Sequence, residues 1–226
     1  MSGALGAAAH VDHLVVAAAS LEQGVAWCEA TLGITPGPGG QHPLMGTHNR
    51  LFKIASADYP DAYFEIIAID PAAPAPSRAR WFGLDDPALQ ALLRDDGPRL
   101  IHFVARSGML DMHRWGLITV GRRPGNPVAA GRDTPQGRLQ WQILVNDDGA
   151  LDCAGALPTL IQWQGSHPAT HMPDSGVTLG GLTLHGVPER VRDVLRLRGV
   201  SVLPQAGVAL QARLATPKGE ITLESA

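Results

Sequence analysis

The chain has 226 residues, 45% of them hydrophobic and 17% charged, with a net charge of −3. That is enough chain for one large domain or two small ones with a sizeable core. The charge balance offers no basic footprint for nucleic acid, and no apolar run approaches the ~20 residues of a membrane span.

The opening MSGALGAAAH carries no basic segment, so no signal peptide is expected. Cys28 and Cys153 are then expected as free thiols in a reducing cytoplasm. Residues Val11 to Val16 alternate as a strand. Ser20 is placed as a helix N-cap, Leu21, Val25, Cys28 and Leu32 follow at helical spacing, and Gly33 ends the helix. The loop ITPGPGGQHPLMGTHN precedes two strands, RLFKIA and AYFEIIAID, joined by a turn at SADYPD. PAAPAPSR reads as a linker, and DDPALQALLRDDG as a short helix capped by Asp85 or Asp86.

At Arg99 the order begins again. RLIHFVARS is a strand, GMLDMHRWG a short helix, and RLQWQILVN and LPTLIQWQG are strands. A third unit follows: the strand GVTLGGLTLHG, the amphipathic helix VPERVRDVLRLRG, and the strands VSVLPQ, VALQARLATP and GEITLES. The chain thus reads as three weakly similar β-α-β-β-β units. The expected class is α+β. One domain spans 10–168, built of modules 10–71 and 99–168, and a third module spans 176–226. An unpaired third module would expose a sheet face, so it either packs on the first two or pairs in a homodimer.

The units can be laid over one another. His13 in DHLVV matches His102 in IHFVA, both early in a first strand. Anchoring the last strands on Pro71 and Pro168 and counting back six residues matches Glu65 with Gln162. Side chains two apart on a strand share a face. Glu65 therefore shares one with Tyr63, Ile67 and Ile69, and His13 shares one with Val11 and Val15. An acid on such a face must be wet, paired or on a metal. Taken singly, each of these residues is an ordinary core or surface group. The repetition is what marks them as a candidate site.

The segments DHLVV, SLEQGVAWCEATLG, GGQHPLMGTHNRL and YFEIIAID, with GRDTPQGRLQWQI and LPTLIQWQGSHP, resemble the glyoxalase-like domain of the vicinal oxygen chelate superfamily over residues 10–168. The resemblance implies a cupped mixed sheet of paired modules. It implies a divalent metal ion (Zn, Ni, Mn or Fe) held by His13, Glu65, His102 and Gln162, with Glu65 as the catalytic carboxylate. The implied chemistry is that of a metal-dependent lyase, isomerase or dioxygenase acting on a small oxygenated molecule. Glyoxalase I types carry carboxylates at both last-strand positions, and the Gln162 amide cannot abstract a proton. His13, His102 and Glu65 resemble instead the two-histidine, one-carboxylate set of Fe(II) oxygenases. Some members of the superfamily hold no metal and only bind or sequester a small molecule. His42, His48 and Asn49 in the loop, and Arg132 and Trp141 in the second unit, are the substrate-binding candidates. Arg132 would suit an anionic group. His167 is a spare ligand, and His113 and Trp115 are read as packing and surface residues.

Overall fold

The computed structural model describes residues 8–204 and 207–225. The stretch Met1–Ala7, on which the signal-peptide reading partly rests, lies outside them, as do Gln205, Ala206 and Ala226 of the third unit. Among the described residues, no helix is long and apolar enough to cross a membrane.

The first unit folds in the expected order. Strand β1 (His10–Ala17) leads into helix α1 (Leu21–Leu32), then the short β2 (Gln41–His42), β3 (Thr47–Lys53) and β4 (Tyr63–Ile69). The Ser20 side chain accepts a hydrogen bond from Gln23 N, and Gly33 ends α1 in the left-handed conformation at φ 78°. Helix α2 (Pro87–Asp95), capped by Asp86, follows the linker. The second unit holds β5 (Arg99–Arg106), α3 (Leu110–Thr119), β6 (Asn126–Thr134), β7 (Gly137–Val145) and β8 (Thr159–Gln164). Strand β6 was not anticipated: its proline, its glycine and its exposed positions hide the alternation of an edge strand.

Both units join one eight-stranded sheet in the order β2-β3-β4-β1-β5-β8-β7-β6. Strand β1 runs parallel to β4, β5 runs parallel to β8, and β1 and β5 meet antiparallel at the centre. The central pairing is symmetric, with His13 opposite Val104 and Val15 opposite His102. Two bulges interrupt it, one at Asp12 and one at Ile101. This is an α+β fold of the vicinal oxygen chelate type.

The third unit comprises β9 (Thr178–His185), α4 (Glu189–Leu195), β10 (Val200–Leu203), β11 (Leu210–Thr216) and β12 (Gly219–Glu224). Its element order repeats, but its pairing does not. Strand β9 lies between β10 and β11 in a separate four-stranded sheet, parallel to the strand that follows its helix. In the first two units the opening strand is parallel to the last one instead. Element order fixes which segments exist, not which of them share a ladder.

The apolar face of this second sheet (Leu179, Leu182, Leu184, Leu210, Leu214) and α4 (Val191, Leu195) pack into one core with Leu14, Phe64 and Phe103 of the large sheet. Of the two placements open to the third unit, packing on the first two is the one observed. The exposed sheet face that called for a homodimer is therefore covered within the chain. Backbone bonds from Leu179 N to Ile54 O (2.8 Å) and from Ala9 N to Leu195 O (2.9 Å) sew the layers together.

Helix α1 lies close on the sheet because Gly24 lacks a side chain. A Cβ there would stand 2.4 Å from Ile66 Cγ2. Gly24→Ala is expected to destabilise the protein by about 1–3 kcal/mol, although alanine is the better helix former. Urea unfolding reads the change, and an unshifted midpoint would refute this close packing.

Candidate functional site

The face of the large sheet opposite α1 forms a cleft floored by β1, β4, β7 and β8. Its walls are Trp81 and Phe82, from the linker between the units, and it encloses about 450 Å³ including its open mouth. Parity along β1 and β4 aims His13 and Glu65 into it as the sequence suggests. His13 is 4% exposed and Glu65 5%.

Each of the two is gripped from behind. His13 Nδ1 donates to Asp12 Oδ1 at 2.7 Å. Asn49 Nδ2 donates to Glu65 Oε1 at 2.7 Å. The groups left over, His13 Nε2 and Glu65 Oε2, face each other at 3.5 Å. Tyr63 stacks on the His13 ring, with centroids 4.4 Å apart.

Asn49 is the hub of the loop side. Its amide nitrogen also lies 3.3 Å from His42 Nε2, and its oxygen accepts from Gly40 N at 2.8 Å. His42 Nδ1 donates in turn to Thr47 Oγ1 at 3.0 Å. A Cβ at Gly39 would stand 1.9 Å from Asn49 O, so Gly39 lets this loop close on β3.

Burial alone would lower His13, but its hydrogen bonds to Asp12 and Glu65 prevail and raise it to about 9. Burial would raise Glu65, yet the His13 contact, aided by His42 and Asn49, holds it below its ordinary value. His42 goes the other way: burial, helped by the Arg132 charge and opposed by Glu65, pushes it down to about 4. The cleft thus holds an imidazolium–carboxylate pair beside a neutral imidazole.

Asp12 was missed by sequence reasoning. Alternation along β1 assigns it to the face away from His13, but the bulge at Asp12 breaks that alternation. Its carboxylate is fully buried, and Oδ2 accepts from Trp163 Nε1 at 3.0 Å and from His167 Nε2 at 2.9 Å. Burial would raise it, but the attraction of His167 and the hydrogen bonds from both histidines carry it far below the carboxylate range. The signal in the sequence was the acid directly before the histidine in DHLVV. His167 serves as a brace on Asp12, and it also accepts from Ala169 N at 3.2 Å.

Of the expected substrate residues, His42, Asn49, Arg132 and Trp141 line the cleft, and His48 does not. His48 alternates with Thr47 and Asn49 on β3 and so points to the opposite face. Trp115 is 60% exposed, and His113 is buried with its Nδ1 2.8 Å from Ser107 Oγ.

The four-ligand metal set does not assemble. His102 Nδ1 donates to Gly155 O at 2.9 Å, while its Nε2 accepts from Thr159 N at 3.0 Å. Burial, only partly offset by that carbonyl, pushes it down to about 3. It is a neutral core histidine under Phe82, with no lone pair left for an ion. Gln162 faces the helix layer, where its Oε1 accepts from Leu110 N at 3.1 Å.

The proline anchor misaligned Gln162. Strand β4 runs almost directly into Pro71, whereas β8 ends at Gln164 and reaches Pro168 through Gly165, Ser166 and His167. The ladder gives the true counterpart. Thr159 lies beside Val104 as Glu65 lies beside Val15. Of the four implied ligands, two, His13 and Glu65, line the cleft. Among the described residues, no group of three or more His, Cys, Asp or Glu side chains is arranged to hold a metal ion. The residues present do not fit the implied metal.

Comparison with one solved structure agrees with the fold. A hypothetical protein from Staphylococcus aureus superposes with a TM-score of 0.57 at 14% identity, covering 96% of this chain and 86% of that one. Methylmalonyl-CoA epimerase from Mycobacterium tuberculosis matches at a TM-score of 0.37 and 13% identity, over 74% of this chain and 92% of its own. A Streptomyces coelicolor methylmalonyl-CoA epimerase variant in complex with 2-nitronate-propionyl-CoA gives 0.40 and 15%, over 68% and 94%. No protein of curated function matches the sequence. The family profile described as glyoxalase-like domain matches residues 11–196, and the chain belongs to that family, within the vicinal oxygen chelate superfamily.

Proposed function

We propose that this protein is a metal-independent proton-transfer enzyme, of the isomerase or lyase type, acting on a small oxygenated molecule. The observation that carries the reading is the His13–Glu65 pair. Its two free atoms share one desolvated space at 3.5 Å, and each side chain is fixed by a separate partner, Asp12 or Asn49. A carbonyl oxygen entering that space takes the His13 Nε2–H bond, which stabilises negative charge on the oxygen. Glu65 Oε2 then removes the acidic proton from the neighbouring carbon. The electron pair of the C–H bond moves into an enolate held by His13. Return of the proton to an adjacent atom completes an isomerisation, return to the same atom only exchanges it with solvent, and expulsion of a leaving group completes an elimination.

A second reading, a protein that binds a small molecule without reaction, draws on the lowered pKa of Glu65, which makes it a weak base. The free thiols Cys28 and Cys153 fit a reducing compartment such as the cytoplasm, and the charge balance fits no nucleic-acid partner.

Two measurements test the proposal. Protein purified without chelator or added metal is expected to carry no stoichiometric divalent ion. A stoichiometric ion that is lost on joint His13→Ala and Glu65→Ala substitution would overturn the metal-independent reading. Deuterium uptake from solvent at C3 of small 2-oxo acids, the carbon next to the carbonyl, followed by proton NMR, is expected with the wild-type protein. Its absence across such a panel leaves the binding reading in place.

A further inference from the structure

Arg132 is a cation in the cleft that no group among the described residues answers. It lies on β6, in the hairpin with β7, and lines the cleft with His42, Trp81 and Trp141. Among the described residues, no carboxylate and no hydrogen-bond acceptor holds its guanidinium. Its nearest acid in sequence, Asp133, is taken by Arg138 at 3.0 Å. On the opposite wall, Arg80 is paired with Asp85 at 2.6 Å. The charge of Arg132 nonetheless acts on His42 and Tyr63 inside the cleft.

The first unit makes room for this side chain. A Cβ at Gly40 would stand 2.4 Å from Arg132 Nη1 and 3.3 Å from its Cδ and Cζ. Gly40 is not among the glycines with positive φ, so backbone conformation does not require glycine there. What a Cβ there would displace is the guanidinium resting on the loop.

We propose that Arg132, seated against Gly40, anchors a carboxylate, and that the molecule taken by the cleft is a small monocarboxylic acid. A guanidinium offers two parallel N–H bonds that match a carboxylate. A neutral occupant would shut an unpaired cation away from water at a cost, and a second negative charge on the ligand would meet Glu65. The proposal builds on the acid–base reading, which places a carbonyl or hydroxyl beside the carboxylate against His13 and Glu65.

The test is binding rather than turnover, so the two readings fail separately. Calorimetric titration with pyruvate, 2-oxobutyrate and lactate is compared with titration by pyruvamide, the neutral isostere of pyruvate. The wild-type protein is expected to prefer pyruvate over pyruvamide at least 10-fold. Arg132→Gln is expected to abolish that preference. Gly40→Ala is expected to weaken pyruvate binding about 5–10-fold with an unchanged melting temperature, since only the end of a flexible side chain must move. The two substitutions together are expected to cost no more than Arg132→Gln alone, because both act on one contact. The proposal is overturned if none of the three carboxylates binds, if pyruvate and pyruvamide bind equally, or if Arg132→Gln keeps the preference. Deuterium exchange at the wild-type rate in Glu65→Gln, with the carboxylate preference intact, would overturn only the acid–base reading.

Discussion

Asp12→Ala is expected to destabilise the protein by about 3–5 kcal/mol, the loss typical of breaking a buried ion pair on one side. The carboxylate is fully buried and accepts from His13, Trp163 and His167. Alanine would leave three donors without an acceptor in a site that water does not reach, and would leave the imidazolium of His13 with one carboxylate neighbour instead of two. Urea unfolding near pH 7 measures the loss. A change under about 1 kcal/mol would mean that water enters and replaces the carboxylate.

The pH dependence carries a sign that separates the partners. His13 is raised from 6.5 to about 9 in the folded protein. Its stabilising contribution is therefore complete below pH 6.5 and is lost as pH rises through about 9. Asp12 and Glu65 are lowered from 3.8 and 4.5, so their contributions are present above those values and are lost as pH falls through the folded ones. Buried His42 and His102, both held well below 6.5 in the folded protein, add a loss of stability as pH falls under that value, so the wild-type protein should be most stable near about pH 6.5–7, declining on both sides. In Asp12→Ala the alkaline decline should shrink, because the hydrogen bond that contributes most to raising His13 is gone. An alkaline limb identical to wild type would show that Glu65 alone sustains the imidazolium.

Glu65→Gln is expected to reduce deuterium exchange by about 100- to 10,000-fold, the range for removing a general base, while the fold is retained. The glutamine oxygen can still accept from Asn49 Nδ2, so the bond behind position 65 survives. What disappears is the capacity to take a proton and the pairing with His13 Nε2. Exchange at the wild-type rate would remove Glu65 from the reaction. An equal loss on Asn49→Ala would instead show that holding the carboxylate in place matters as much as having it.

Much of this arrangement was legible in the sequence. Period-two alternation places Glu65 because β4 runs regularly past it, and His13 because β1 is regular from His13 to Val15, although the bulge at Asp12 sends Val11 to the other core. The cap at Ser20 and the stop at Gly33 stand where the sequence puts them. What escaped are features that break local regularity. The bulge at Asp12 turns a residue that parity sends elsewhere into the partner of His13. The turn from Gln164 to Pro168 is longer than the one from Ile69 to Pro71, which shifts the count and substitutes Gln162 for Thr159. Trp81 and Phe82 escaped for another reason. They belong to a proline-rich linker, and nothing in a linker's composition announces that it walls a cleft. The different pairing of β9 likewise lay beyond reach, since a β-α-β-β-β order admits more than one ladder.

The near-twofold relation between the first two units ends in an unequal outcome. One position carries an acid–base pair, while its mate, His102 with Thr159, is sealed beneath Phe82. Both reacting groups therefore stand on the same side of whatever occupies the cleft. In the proposed reaction Glu65 both takes and returns the proton, so a flat, prochiral carbon bound there meets it from a single face. The handedness of any product would thus be set by which of two related strand pairs kept its carboxylate.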